Sequence, residues 1–160
     1  RQVLGYVGTI ANWFDWPLIF KLAEAHPEIC VRLIGPVHAY PPQALLANME
    51  LLPACDHKTA LKYMQEFSIG LIPFRQTELT ESVDSIKYYE YKALGLPIIS
   101  TFFGEMALRH DESGVFFVDA NTDIVDIVQS ALSYQYSAED INQFRAANSW
   151  EARFDATGIL

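Results

Sequence analysis

A lysine and a glutamate stand three residues apart in the segment SVDSIKYYEYKALGLPIIST (82–101). If this segment is a helix, residues at that spacing lie on one face, so Lys87 and Glu90 would be neighbours. A lysine ammonium can neutralise a phosphate, and a carboxylate can accept hydrogen bonds from a vicinal diol such as a ribose. The pair therefore has the chemistry to bind a nucleoside phosphate, although the spacing alone also fits an ordinary surface ion pair.

The beginning of this helix gives a second reason to expect a phosphate. A helix that begins near Ser85 directs unpaired backbone N–H groups and its positive dipole end toward an anion. Lys87 in the first turn is unfavourable for the dipole, and a bound phosphate would supply the counter-charge. The backbone near Ser85 and Ile86, together with Lys87, is the predicted phosphate site. At the other end, Gly95 is the predicted C′ residue of the helix.

Other candidate site residues follow apolar runs. The segment GYVGTI (5–10) spaces Gly5 and Gly8 as G-x-x-G, which differs from the G-x-G-x-x-G of dinucleotide-binding domains. Gly8 would let a ligand approach the backbone and Thr9 adds a hydroxyl, although a tight turn also explains the glycines. Arg75 could assist with phosphate or sugar, or lie in a solvated loop.

A flat base could lie against ring side chains of the loops. Tyr40, Pro53 and His57 are the predicted walls of such a base pocket. The histidines share no metal-ligand spacing with a carboxylate, so no metal site is predicted. Cys30 and Cys55 fit no C-x-x-C pattern and are predicted to be reduced core thiols. Hydrolase chemistry has no support, because the sequence contains no G-x-S-x-G nucleophile elbow.

The elements that would position these residues alternate along the chain. Short apolar runs predict buried strands, and amphipathic stretches with apolar residues at helical spacing predict helices. Strands are predicted at 3–8, 30–36, 49–54, 68–74, 97–101 and 114–120, and helices at 13–26, 57–67, 85–94 and 122–132, with further helices after Ser137 and Ser149. Asp56, Asn121 and Ser137 are the predicted helix caps. Residues 41–49 are expected to form a short helix or an irregular connector.

Strands that are apolar throughout and separated by helices predict a parallel sheet covered on both faces. The predicted fold is therefore a single α/β domain with a doubly wound, Rossmann-like parallel sheet. Ligands of such sheets bind beyond the carboxyl ends of the strands, where the loops with the candidate residues lie. The polar loop from Arg75 to Asp84 is longer than most connections between a strand and a helix, and loops of that kind often carry function.

Charge and hydropathy argue against several classes of protein. A net charge of −9 argues against a nucleic-acid-binding surface, which needs a basic field. No apolar run approaches the ~20 residues of a membrane span, and no signal segment is present, so we expect a cytoplasmic protein without a transmembrane segment. The chain begins at Arg1, directly before an apolar run, and we expect it to be a piece of a longer protein.

The central segment resembles a signature of a known enzyme family. In the carboxyl-terminal, donor-binding domain of group 1-like glycosyltransferases with the GT-B fold, a small polar stretch leads to K-x-x-E-Y-x-A-x-G-x-P. The residues in register are Lys87, Glu90, Tyr91, Ala93, Gly95 and Pro97. The resemblance extends through GYVGTI, VRLIGP, the segments 51–74 and 102–120, and NSWEARF. It implies that residues 1–160 are one half of a GT-B fold.

The resemblance implies a role for each candidate residue. Glu90 would bind the ribose hydroxyls of a UDP- or GDP-linked sugar. Lys87 and the backbone at the helix start would hold the diphosphate, and Gly8 and Thr9 would approach it from the other side. The nucleoside diphosphate sugar is a substrate, and no cofactor is implied.

The resemblance also implies partners. The sugar would pass to a polysaccharide or glycolipid acceptor held by an amino-terminal domain that this sequence lacks. Residues 1–160 alone would then bind the donor weakly and transfer nothing. A membrane-bound acceptor would bring the protein to the inner membrane through that missing domain. A non-catalytic nucleotide-binding or regulatory module, and a UDP-sugar epimerase of the same fold, are the alternatives.

Two positions depart from the family pattern. Ser85 stands where proline is usual, so the helix start is less rigidly set. Many retaining members pair two glutamates as E-x7-E, but Ser82 stands eight residues before Glu90 and Glu81 lies one place out of register. Ser82 is kept as a predicted sugar-binding residue, and the choice between retention and inversion stays open.

Overall fold

Six parallel strands form one sheet, and helices connect them. The computed structural model describes residues 2–75 and 86–148. The strands are β1 (Val3–Val7), β2 (Cys30–Ile34), β3 (Met49–Leu52), β4 (Ile69–Ile72), β5 (Ile98–Thr101) and β6 (Val115–Val118). The helices are α1 (Trp16–Ala25), α2 (His57–Gln65), α3 (Ile86–Ala93), α4 (Ile124–Ser133) and α5 (Ala138–Asn148), and a 3₁₀-helix spans Gly104–Arg109. The strand order β3-β2-β1-β4-β5-β6 confirms the predicted doubly wound α/β sheet.

Burial along the strands follows their position in the sheet. Every residue of β1, β4 and β5 is buried, whereas the edge strands β3 and β6 each keep two or more residues partly exposed. This pattern is expected of a parallel sheet whose central strands are covered on both faces. Within the described residues, no helix is long and apolar enough to cross a membrane.

Polar side chains cap the helices at most of the predicted places. The Asp15 carboxylate accepts the backbone N–H three residues on at 3.1 Å, and Pro17 lies in the first turn of α1, where proline is tolerated. The predicted caps Asp56 and Ser137 accept the equivalent N–H groups at 2.8 and 3.0 Å. Residues 41–48 form an irregular connector, which is one of the two predicted possibilities. The helix predicted after Ser149 lies outside the described residues.

The predicted cap Asn121 is wrong. The cap of α4 is Asp123, whose carboxylate accepts the Asp126 N–H at 3.1 Å. Asn121 instead donates its backbone N–H to the Asp119 carboxylate at 2.8 Å, and the Thr122 hydroxyl contacts the same oxygen at 3.1 Å. Asp119 holds the next residues in a local turn, so the helix begins later in the chain. The sequence alone does not show whether this turn or a cap at Asn121 is more stable.

Two sheet glycines allow α3 to lie close to the sheet. A Cβ atom on Gly70 would lie 2.4 Å from the ring of Tyr91, so this ring packs directly on the backbone of β4. The Tyr91 hydroxyl donates to the Leu71 carbonyl at 3.0 Å. The register partner of Gly70 on β1 is Gly5, where a Cβ atom would lie 2.2 Å from the Phe67 ring. The residue before Tyr91 is Glu90, and this contact therefore carries Glu90 into the interior.

The end of α3 is a Schellman motif. Gly95, the predicted C′ residue, has a φ of +75° and donates its N–H to the Lys92 carbonyl at 3.0 Å. The N–H of Leu96 donates to the Tyr91 carbonyl at 2.9 Å. The outer side of α3 is covered by α5, from which Arg145 donates to the Ala93 carbonyl at 2.7 Å. The carboxyl end of the helix that carries the candidate residues is thus tied to the rest of the domain.

Candidate functional site

An open cavity of about 310 Å³ lies at the carboxyl ends of three strands. Its described walls are Val7–Thr9 after β1, Ile34–Pro36 after β2, Ala54 and Cys55 after β3, and Ile86 and Lys87 of α3. The strand order changes direction between β1 and β4, and ligands of open α/β sheets bind at such a switch point. The cavity is therefore the candidate functional site.

Four of the predicted site residues line this cavity: Gly8, Thr9, Ile86 and Lys87. Glu90 lies one helical turn beyond Lys87 and contacts it directly, as described below. Ser82 and Ser85 lie outside the described residues, and their predicted roles stay predictions.

The remaining predicted residues lie farther out. Arg75 is exposed after β4, and its backbone N–H donates to the Trp13 carbonyl at 2.6 Å. Tyr40 is 77% exposed and is outside the described lining of the cavity. Pro53 is exposed directly before the lining residue Ala54. The base contacts predicted for Tyr40, Pro53 and His57 stay predictions.

Several lining residues were missed by the sequence analysis. Gly35 and Pro36 follow β2 as Gly8 follows β1, and a glycine directly after an apolar run was the available signal. Ala54 carries no side-chain signal of function. The prediction that Cys55 is a core thiol is wrong, because Cys55 is only partly buried and lines the cavity. Cys30 is buried, and neither cysteine forms a disulfide.

Glycine is required where β1 and β2 end. Gly35 has a φ of +149°, and a Cβ atom there would lie 1.9 Å from the Gly8 carbonyl oxygen. The Gly8 N–H donates to the Ile34 carbonyl at 2.9 Å, so the two turns contact each other through their backbones. This close approach brings the ends of β1 and β2 together as one wall of the cavity.

Lys87 and Glu90 form an ion pair that is largely shielded from solvent. The Lys87 ammonium lies 3.0 Å from Glu90 Oε1, and the two side chains are 13% and 1% exposed. The alternative of an ordinary surface ion pair is therefore excluded. Apart from this ion pair, neither carboxylate oxygen has a hydrogen-bond partner among the described residues. Buried polar atoms without partners are rare in folded proteins, and this carboxylate has acceptor capacity left for a ligand.

The burial of the pair changes the proton affinity of both groups. Burial raises the pKa of the Glu90 carboxyl, and the electrostatic effects of Lys87 and then of His57 only partly oppose this rise. Burial likewise lowers the pKa of the Lys87 ammonium against the opposing effect of Glu90. His57, a predicted site residue at the first turn of α2, thus lies close enough to influence the carboxylate. The pair holds its charges in the protein at a cost in stability.

A double variant should reveal that cost. Because the pKa of Glu90 is raised, the folded protein binds more protons than the unfolded chain above the ordinary pKa of 4.5, and stability falls as pH rises through this window. We expect Lys87→Met/Glu90→Gln to become more stable than the wild type by about 1–3 kcal/mol as pH rises from about 4 to about 8. Urea unfolding across this range measures the difference. A wild type that gains stability over the double variant with rising pH would contradict this prediction.

Comparisons with known proteins agree with the fold. No family model matches the chain. TuaH of Bacillus subtilis (strain 168), whose name describes a glycosyltransferase of teichuronic acid biosynthesis, is 27% identical over 104 residues, which are 62% of this chain and 26% of TuaH. AviGT4, a glycosyltransferase involved in avilamycin A biosynthesis, superimposes with a TM-score of 0.69 at 12% identity, over 99% of this chain and 50% of that chain.

Two further solved structures share this fold. A UDP-forming α,α-trehalose-phosphate synthase from Burkholderia vietnamiensis matches with a TM-score of 0.60 at 13% identity, over 99% of this chain and 45% of that chain. An E. coli structure described as trehalose-6-phosphate bound with UDP-2-fluoro glucose matches with a TM-score of 0.56 at 15% identity, over 98% of this chain and 44% of that chain. The chain spans about a quarter of TuaH and about half of the matched structures. The domain has the Rossmann-like fold of a GT-B glycosyltransferase domain, as the sequence predicts.

Proposed function

We propose that this chain is the donor-binding half of a glycosyltransferase that moves a sugar from a nucleoside diphosphate to a polysaccharide or glycolipid acceptor. The observation that carries the proposal is Glu90, a buried carboxylate whose one partner among the described residues is Lys87, a lining residue of the switch-point cavity. The sequence similarity to the glycosyltransferase TuaH supports the same function.

In this proposal Glu90 accepts hydrogen bonds from the ribose hydroxyls, because a carboxylate paired with one ammonium still has acceptor sites that bind a vicinal diol. The ammonium of Lys87 and the amino-terminal end of α3 bind the diphosphate. Gly8 and Thr9 form the opposite wall and approach the diphosphate with backbone groups. Transfer of the sugar leaves negative charge on the departing diphosphate, and these donors stabilise that charge.

The base lies, in this proposal, between the ends of β2 and β3. Gly35 and Pro36 form one side of that space, and Ala54 and Cys55 form the other. Pro53 precedes the second side in sequence. The similarity to structures described with UDP-2-fluoro glucose or as UDP-forming enzymes makes UDP the first donor nucleotide to test, and GDP the second.

The other parts of the enzyme are assigned to a domain outside this chain. The chain covers about half of AviGT4, and we assign the acceptor site and any general base to an amino-terminal domain. A lipid-linked acceptor would bring that domain to the inner membrane from the cytoplasm. Residues 1–160 by themselves bind the donor and transfer nothing.

Calorimetric titration of the intact protein with UDP, GDP and their sugars tests the proposal. We expect one nucleoside diphosphate to bind and the corresponding sugar nucleotide to bind as well. Failure of every nucleoside diphosphate to bind would overturn the proposed function. Binding followed by conversion of a UDP-sugar without any acceptor would favour the epimerase, and binding without transfer to any glycan or lipid-linked sugar would favour the regulatory module.

A further inference from the structure

Tyr6 is a buried phenol that the proposed function does not use. It lies on β1, is 2% exposed, and packs between the rings of Phe14 and Phe74 at centroid distances of 5.1 and 5.9 Å. Its hydroxyl donates to the Thr9 carbonyl at 2.8 Å. The side chain therefore runs from the core to the turn that follows its own strand.

The hydroxyl lies beside the candidate nucleotide site. A Cβ atom on Gly8 would lie 2.8 Å from the Tyr6 hydroxyl and 3.3 Å from Cε of Lys87, so the phenol, the turn and the lysine stem pack together. Burial, and secondly the negative charge of Glu90, raise the pKa of the phenol far above neutral pH. The hydroxyl consequently keeps its proton and remains a donor to the turn.

The backbone of the turn is tied down on both sides of Thr9. The N–H groups of Gly8 and Ile10 donate to the Ile34 and Pro36 carbonyls, each at 2.9 Å. The Thr9 carbonyl is held by Tyr6. Among the residues that the structure describes, the Thr9 N–H meets no acceptor, and Thr9 lines the cavity. This N–H is the donor that the turn leaves for a ligand.

We propose that Tyr6 is a positioning residue that holds the turn after β1, so that the Thr9 N–H faces the diphosphate of a bound nucleotide. The hydrogen bond fixes the Thr9–Ile10 peptide unit, whose N–H is also bonded to the Pro36 carbonyl, and so limits the backbone rotation at Thr9 that would turn the Thr9 N–H away. The ring packing of Tyr6 serves the core, and the hydroxyl serves the turn. This inference rests on the proposed function for its ligand, but the effect on the turn can be measured without one.

Tyr6→Phe separates the two roles, because it keeps the ring and removes the donor. We expect the affinity for UDP or GDP, whichever the wild type binds more tightly, to fall about 5- to 10-fold. Hydrogen exchange of the Ile10 amide, whose bond to Pro36 depends on the position of the turn, should become about tenfold faster than in the wild type, while the amides of β1 keep their protection. Calorimetry and amide exchange measure the two effects.

Tyr91→Phe is the matched control. Tyr91 is also fully buried, and its hydroxyl donates to the Leu71 carbonyl within the sheet instead of to the turn. Both variants should lose a few degrees of melting temperature, but only Tyr6→Phe should weaken nucleotide binding and accelerate Ile10 exchange. Unchanged Ile10 exchange in Tyr6→Phe, or an equal loss of affinity in both variants, would overturn the inference. A wild type that binds no nucleotide would overturn the proposed function instead, and the exchange result would still decide the role of Tyr6 in the turn.

Discussion

Glu90→Gln is expected to lower the affinity of the intact protein for UDP or GDP by about 30- to 100-fold. Glutamine keeps the size of the side chain but replaces a carboxylate by a neutral amide, which weakens charge-assisted hydrogen bonds to the ribose hydroxyls by about 2–3 kcal/mol in total. The Glu90 side chain is 1% exposed, so water cannot readily replace the hydrogen bonds that the variant loses. Calorimetric titration with the tighter-binding nucleotide measures the change.

The control for this variant is Glu112→Gln. Glu112 is also a carboxylate paired with a lysine of α3, since Lys92 lies 2.9 Å from its Oε2, and Tyr88 donates to it at 2.6 Å. The described side-chain partners of Glu112 lie outside the cavity lining, whereas Glu90 pairs with the lining residue Lys87. Its replacement should reduce stability without changing affinity. Equal affinities of Glu90→Gln and Glu112→Gln would show that Glu90 does not contact the nucleotide.

Alanine is a poorer replacement for Glu90. The sequence predicts that Glu90→Ala weakens nucleotide binding and leaves thermal stability nearly unchanged. The structure alters this expectation, because truncation of a side chain that is 1% exposed leaves an internal space and leaves the Lys87 ammonium without its partner. A loss of stability in Glu90→Ala therefore carries no information about the role of Glu90, and Glu90→Gln is the informative variant.

Gly35→Ala is expected to reduce the free energy of unfolding by about 3–5 kcal/mol. The added methyl group would lie 1.9 Å from the Gly8 carbonyl oxygen, which is a backbone atom and cannot rotate away as a side chain can. Moving the two turns apart would break the bond between the Gly8 N–H and the Ile34 carbonyl. Urea unfolding of the variant and the wild type measures the loss.

Gly8→Ala is a graded control for this prediction. Gly8 has a φ of +152°, close to the +149° of Gly35, so both alanine variants carry similar backbone strain. The nearest obstacles at Gly8 are the Tyr6 hydroxyl at 2.8 Å and Cε of Lys87 at 3.3 Å, and both lie farther from the added methyl group than the backbone oxygen that Gly35→Ala would meet. Gly8→Ala should therefore lose clearly less stability than Gly35→Ala. Equal losses would assign the effect to backbone strain alone and contradict the importance of the backbone contact.

Local patterns predicted much of the fold. Apolar runs and helical spacing depend on residues close in sequence, and so do the caps at Asp56 and Ser137 and the C′ glycine at Gly95. The prediction of a cap at Asn121 was wrong because a local turn and a helix cap compete within residues 119–123. Residue types do not reveal the small difference in free energy between them. The prediction that Cys55 is a core thiol was wrong because its burial depends on which strands surround the end of β3.

Residue types and their spacing were enough to identify the residues that could do chemistry. The spacing of Lys87 and Glu90, and the register of the residues that follow them, place a cation and a carboxylate on one helical face near an anion-binding helix end. The order of apolar runs and amphipathic stretches along the chain also predicted a parallel sheet, because buried strands alternate with helices. These are properties of near neighbours and of composition.

The burial of the pair and the cavity beside it became visible only in the folded domain. The Tyr91 ring packs on Gly70 of β4, Gly35 meets Gly8 between two strands, and the Tyr6 hydroxyl reaches the turn beside Lys87. The first two contacts join residues far apart in the sequence, whereas the Tyr6 hydroxyl bonds to a residue only three positions away. The same two side chains three residues apart would be a solvated ion pair on another surface, because burial is a property of everything that packs around them.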